Sequence, residues 1–260
     1  MKKRLPIGVS EFSAVIEGNG YYVDKTLLIY DWLQTINGSV TLITRPRRFG
    51  KTLNMTMLRD FFDLSKDSRL LFTDLAIMQT ETCTEMNQWP VIFLSFKDCK
   101  GTYEGAMTCI YKTFLEALTS IDQNNLSGIE KSLFTKMIDV LLAFDFDKKA
   151  IIQDAIFVLS KLLFQAYGKK VIILIDEYDT PLISAYEQGY YDAVHGFFSS
   201  LYSTALKDNP YLERAMLTGI HRIAKENIFS GLNNLIVCTV LDQAYAQYFG
   251  LTPEETEALL

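Results

Sequence analysis

Apolar positions along the chain follow two alternating patterns. Val40-Thr41-Leu42-Ile43-Thr44, Val91-Ile92-Phe93-Leu94-Ser95-Phe96 and Val171-Ile172-Ile173-Leu174-Ile175 are short apolar runs rich in β-branched residues. The third has no polar alternation, as expected of a strand covered on both faces. Trp89-Pro90 leads into the second, and proline is tolerated at a strand's first position. Arg214-Ala215-Met216-Leu217-Thr218-Gly219-Ile220 forms another buried run ending in a small polar pair. Between the runs, apolar residues recur three or four apart over Leu53 to Leu64, Tyr103 to Leu118, Ile151 to Tyr167 and Tyr190 to Leu206. That spacing predicts helices with one buried face, and Asn209-Pro210 stops the last of them. Strands alternating with helices predict an α/β fold with a central parallel sheet flanked by helices.

The polar residues after these runs carry the candidate chemistry. Arg45-Pro46-Arg47-Arg48-Phe49-Gly50-Lys51-Thr52 joins the first strand to a helical pattern, the context of a phosphate-binding loop. There, backbone amides and a helix N-terminus supply positive potential, a lysine reaches the β- and γ-phosphates, and a threonine hydroxyl ligates Mg²⁺. The candidate nucleotide-binding set is Arg47, Arg48, Phe49, Gly50, Lys51, Thr52 and Leu53. The usual loop opens with glycine five residues before Gly50, where this chain has Arg45. By itself the Gly-Lys-Thr triplet also fits a plain basic turn from strand to helix.

A phosphate loop needs a second strand that brings carboxylates to the metal and the water. The run Val171 to Ile175 ends in Asp176-Glu177, with Tyr178-Asp179 behind. In this reading Asp176 holds Mg²⁺, directly or through water, and Glu177 polarises the attacking water. Asp179 reads as part of a solvated acidic turn. Thr218 either senses the γ-phosphate or only makes the turn after its strand. His221 and Arg222 follow it; the histidine reads as structural, and Arg222 either supplies positive charge to the transition state or is a surface arginine.

Composition narrows the picture. The chain has 260 residues, 31 acidic against 25 basic, a formal net charge of −6, and 49% hydrophobic residues. These values exclude disorder and a heavily basic nucleic-acid coat protein, so any anion site must be local. Cys83, Cys99, Cys109 and Cys238 lack C-x-x-C spacing and read as incidental thiols in a reducing compartment. No run approaches the roughly 18 apolar residues that span a bilayer. Met1-Lys2-Lys3-Arg4 is followed by no apolar segment of a signal peptide, so the expected location is the cytoplasm.

At this level the sequence resembles the AAA-ATPase-like family of bacterial P-loop ATPases. The residues that carry the resemblance are Gly8-Val9, Tyr21-Tyr22-Val23-Asp24-Lys25-Thr26, Arg45 to Thr52, and Phe93-Leu94-Ser95-Phe96-Lys97-Asp98. Ile175-Asp176-Glu177-Tyr178-Asp179-Thr180-Pro181, Thr218-Gly219-Ile220 and Ile228-Phe229-Ser230-Gly231-Leu232-Asn233-Asn234 complete the set. The Arg-Pro opening of the loop is usual in that family. The resemblance implies the additional-strand P-loop fold, with the strand ending at Thr218 between the two motif strands. It also implies ATP and Mg²⁺ as cofactors, with Lys51, Glu177, Thr218 and Arg222 as catalytic residues and Thr52 and Asp176 as metal ligands. Longer relatives often carry a C-terminal nuclease-like domain of the PD-(D/E)XK type, not visible in these residues. Asp24-Lys25-Thr26 lies near the adenine or the phosphate loop, or else caps a helix.

The expected division is an N-terminal segment, 1–36, packing on an ATPase core, 37–250, with 251–260 opening a further helical region. Thr252-Pro253-Glu254-Glu255 has the form of a capping box with proline at the first helical position. A helix begun so near Leu260 suggests a longer protein. The expected function is Mg²⁺-dependent ATP binding and hydrolysis that drives or gates an effector. The alternative is a nucleotide-gated interaction module with little intrinsic turnover, and a small-molecule kinase ranks third. No arginine is clearly placed to complete the site in cis, so a second copy of the chain in a homo-oligomer is one source of it. Charge lends no support to nucleic acid as a partner.

Overall fold

Five parallel strands form the centre of the fold: β1 (Val40–Thr44), β2 (Val91–Ser95), β3 (Val171–Asp176), β4 (Leu212–Gly219) and β5 (Leu235–Cys238). They lie in the order β2-β3-β4-β1-β5. The computed structural model describes residues 3–35, 39–119, 126, 128–220, 228–229 and 232–259. The expected α/β class and parallel sheet are both present, and β4 lies between β1 and β3.

Alternation along the strands divides the core in two. From β3, Ile173 and Ile175 enter a cluster with α5 (Tyr103–Thr119), α6 (Gly128–Leu142), α7 (Lys149–Gln153), α8 (Ala155–Tyr167), α9 (Thr180–Gln188) and α10 (Tyr191–Leu206). Ile172 and Leu174 point the other way, toward α1 (Phe12–Glu17), α2 (Leu27–Gln34), α3 (Lys51–Phe62) and α4 (Arg69–Phe72). All six residues of β3 are buried, which explains its unbroken apolar run. Each large aliphatic side chain so covered contributes about 1.5–3 kcal/mol relative to exposure. Edge strand β2 instead alternates between half-buried and buried positions.

Two helix expectations are corrected. The pattern assigned to Leu53–Leu64 begins at Lys51 and ends at Phe62, because Gly50 takes a left-handed conformation that starts the helix and Asp63 turns extended. The Ile151–Tyr167 pattern divides at Asp154: α7 packs on α10, whereas α8 also reaches β2 and β3, so one straight helix would not serve both. Among the described residues no single helix is long and apolar enough to cross a membrane.

The C-terminal end folds back over the start of the chain. Thr252 and Glu255 form the expected capping box at α11 (Pro253–Leu259), with amide-to-side-chain distances of 2.8 and 3.3 Å. The Glu255 carboxylate accepts from Lys25 Nζ at 2.5 and 2.6 Å, and Lys25 also donates to the Gln247 carbonyl. Thr26 stands at the N-cap position of α2 without capping it through its side chain. Its hydroxyl donates to Asp24 instead, and Asp24 also accepts the Ala76 amide.

Candidate functional site

Because every strand runs the same way, the ends of β1, β3 and β4 meet at one rim, where ligands bind in open parallel sheets. Register places Thr44 beside Gly219 and Ile43 beside Thr218, while β3 reaches the same level at Ile175 beside Leu217. The loop after β1 arrives here with two left-handed residues, Arg48 at φ 70° and Gly50 at φ 74°. Glycine adopts that conformation freely; an arginine there costs about 1 kcal/mol, a kind of strain found at functional sites. Arg45, standing where the usual loop has glycine, is not among the left-handed positions.

Lys51 opens α3 and bends back across its own loop. Its Nζ donates to the carbonyls of Arg45 and Pro46, both at 2.9 Å, and the residue is only 5% exposed. Burial lowers the ammonium's proton affinity, and the carboxylates of Glu177, Asp176 and Asp179 offset part of that effect. Thr52, one residue on, donates its hydroxyl to Asp176 Oδ2 at 2.8 Å across the width of β4. The loop and the acid-bearing strand therefore converge on one carboxylate.

Asp176 is fully buried. Burial raises its carboxyl above the usual range, opposed by hydrogen bonds from Thr218 and Thr52 and by the charge of Lys51. Thr218 donates to Asp176 Oδ1 at 2.6 Å and accepts the Glu177 amide at 3.3 Å. Glu177 has a positive φ of 53°, again left-handed, and its Oε2 accepts the Thr180 hydroxyl at 3.0 Å. The acid after the strand is thereby turned out of the sheet and held by the first residue of α9.

Asp179 departs from the solvated turn expected of it. It is fully buried, and its Oδ2 accepts the Ile220 amide at 2.8 Å, tying the end of β3 to the end of β4. The tie needs the small residue between: a Cβ at Gly219 would come within 2.5 Å of the Tyr178 ring and 2.8 Å of Asp179 Oδ1. Arg47 and Arg48 are exposed, Phe49 is exposed and Leu53 half-buried. His221 and Arg222 lie outside the described residues.

A cleft of about 240 Å³ runs from the loop toward the chain's two ends. Tyr21, Tyr22, Val23, Phe49, Leu53 and Leu251 line it. Lys25 and Asn54 also border it, but both are engaged with the C-terminal segment, Asn54 Nδ2 donating to the Tyr248 carbonyl at 2.7 Å. Nothing in the local sequence marks Asn54. Thr180 had one, its position three residues after Glu177, the reach of one helical turn.

A strand, a basic loop, a helix N-terminus and a buried carboxylate on a second parallel strand thus meet at one rim of the sheet. The chain belongs to the AAA-ATPase-like family, described as predicted AAA-ATPase, whose model matches residues 6–229. It is also similar to an "uncharacterized protein in vnfD 5′ region" from Azotobacter chroococcum mcd 1, with 27% identity over 271 residues. The match covers 99% of this chain and 45% of that relative, so the chain spans less than half of the relative's length. No solved structure matches the chain. Membership of the family supports nucleotide binding in general.

Proposed function

We propose that the chain binds ATP with Mg²⁺ and hydrolyses it. The observation that carries this reading is the Thr52–Asp176 hydrogen bond at 2.8 Å, which puts a hydroxyl and a carboxylate together beside Lys51. These are hard oxygen donors, the kind Mg²⁺ takes from protein alongside substrate phosphates. Among the described residues no group of three or more His, Cys, Asp or Glu could hold a metal alone. A site with few protein ligands suits a cation that arrives with the nucleotide. Thr52 and Asp176 would hold it, and the chemistry it supplies when bound is neutralisation of charge on the β- and γ-phosphate oxygens.

The residues then divide the work. The loop of 45–50 and the N-terminus of α3 receive the phosphates, and Lys51 exchanges two neutral carbonyls for charged phosphate oxygens, a stronger class of hydrogen bond. Glu177, held by Thr180, orients a water for in-line attack on the γ-phosphorus and takes its proton as the bond from phosphorus to the β-γ bridging oxygen breaks. ADP and inorganic phosphate are the products. The cleft bordered by Tyr21 and Phe49 takes the base. With β4 between β1 and β3, the strand order agrees with the additional-strand class of P-loop proteins, and Lys51–Thr52 and Asp176–Glu177 take the Walker A and Walker B roles.

Calorimetry with ATP and Mg²⁺ tests the reading. Lys51→Ala should lose nucleotide binding by at least roughly a hundredfold, the scale of a lost charge-assisted contact with the charge itself. Glu177→Gln should keep binding and lose turnover. Equal ATP affinity in wild type and Lys51→Ala would sink the proposal.

A further inference from the structure

Arg45 is a buried cation with no buried anion paired to it among the described residues. It is 3% exposed, and its Nη1 donates to the carbonyls of Thr44 and Cys238, both at 3.0 Å. The guanidinium carbon stands 5.9 Å from the centre of the Phe249 ring, and Nη2 is buried with no hydrogen-bond partner among the described residues. Among the described residues no carboxylate lies within ion-pair distance of it. Asp242, whose charge it feels, is exposed, and its Oδ2 accepts the amide and hydroxyl of Thr239.

Such an arrangement is costly. A guanidinium stays ionised in a protein, and a buried charge held only by neutral groups is unfavourable unless something compensates it. A hydrogen-bonding clamp from β1 to β5 would not require a charge, since a neutral donor could bond the same carbonyls. The position matters more. Arg45 opens the loop, its own carbonyl holds Lys51 Nζ, and its amide donates to the Gly219 carbonyl at the end of β4. The chain has therefore set a permanent positive charge on the residue that opens the loop, at the place where the common pattern has a residue with no side chain.

We propose that Arg45 is the buried field charge of the phosphate site, with the ligand's phosphate chain as its counter-ion. It acts through the loop and touches no reacting atom, so it is a positioning and affinity residue. Its contribution rises with the negative charge of the ligand. This inference rests on the nucleotide reading above. It differs from a purely structural role in one measurable respect: a clamp that only shapes the loop supports ATP, ADP and AMP alike, whereas a field charge favours them in that order.

The test is calorimetric affinity for ATP, ADP and AMP at low salt, with and without Mg²⁺, in wild type, Arg45→Gln and Arg45→Lys. The expected result for Arg45→Gln is a graded loss, roughly 15-fold more for each added phosphate charge, the scale of a unit charge acting over about 10 Å at an effective dielectric constant of about 20. Arg45→Lys, which keeps the charge and gives up part of the hydrogen bonding, should retain the wild-type ratio of ATP to ADP affinity within about twofold. A uniform loss across the three nucleotides in Arg45→Gln, or none, overturns the proposal. Should Arg45→Gln not fold, Arg45→Lys alone decides: a preserved ratio supports the field charge, and a collapsed one refutes it. If wild type binds no nucleotide, the ATP reading fails first, and that result is distinct from a wild type that binds ATP through Lys51 while Arg45→Gln shows no grading.

Discussion

The Thr218 hydroxyl donates to Asp176 Oδ1 at 2.6 Å across the seam between β4 and β3. The Thr218 hydroxyl oxygen accepts the Glu177 amide, and the Thr218 carbonyl accepts the amide of Tyr178. One residue on β4 therefore fixes the carboxylate proposed to hold the metal and the turn that aims the proposed water-orienting acid. Thr218 is committed to the acids, which favours a positioning role over direct contact with the γ-phosphate.

Thr218→Val keeps the shape and removes the hydroxyl. Turnover should fall about 10- to 100-fold, the effect of removing a group that orients a metal ligand, with ATP affinity changed much less. Thr218→Ser should recover most of the rate. Steady-state kinetics with a separate binding measurement separates the two quantities, and an unaltered kcat in Thr218→Val would reduce the residue to packing.

Asp176 should cost the free protein stability. Burial raises its folded-state carboxyl above the unfolded value of about 3.9. The favourable side of such a shift is fully present below the unfolded value and is lost as pH rises through the folded one. At neutral pH the ionised carboxylate is therefore a liability without a ligand. Asp176→Asn should raise the Tm of the nucleotide-free chain at pH 7 and much less at pH 4, while weakening Mg²⁺-dependent ATP binding. Thermal melts at the two pH values check the first part, and a lower Tm for Asp176→Asn at pH 7 would contradict it.

What could be read in advance depended on whether the cause was local. The unbroken run at β3 announced a strand covered twice, and Gly50-Lys51-Thr52 announced a junction of loop and helix, although α3 starts at Lys51, two residues before the expected Leu53. Asp179 was misread because nothing local marks an acid that turns inward; its burial depends on the Ile220 amide, 41 residues away. Arg45 looked like a deviation in a motif, yet its role needs the Cys238 carbonyl on β5. The break at Asp154 lay inside a continuous apolar period, and packing of α7 on α10 decided it. Asn54 and Lys25 took their partners from residues near 250, pairings that no periodicity encodes.

The Lys25–Glu255 pair yields a pH-dependent prediction. Lys25 is 7% exposed, and the pair joins the segment that borders the proposed base cleft to α11. Glu255→Gln leaves that ammonium without its anion. The cost should be about 1–2 kcal/mol, less than for a fully buried pair because the Glu255 side chain is about a quarter exposed (26%). Burial works to raise the Glu255 carboxyl, but hydrogen bonds from Lys25 and the Thr252 amide, together with the lysine's charge, hold it below its ordinary value. For an acid with a depressed folded-state value, the stabilisation is complete above the unfolded value of about 4.3 and is lost as pH falls through the folded one. The Tm gap between wild type and Glu255→Gln should therefore be constant at neutral pH and close progressively below about pH 4.3. A gap of the same size at pH 3 as at pH 7 would show that the carboxylate's charge is not its source, since glutamine also accepts the Thr252 amide.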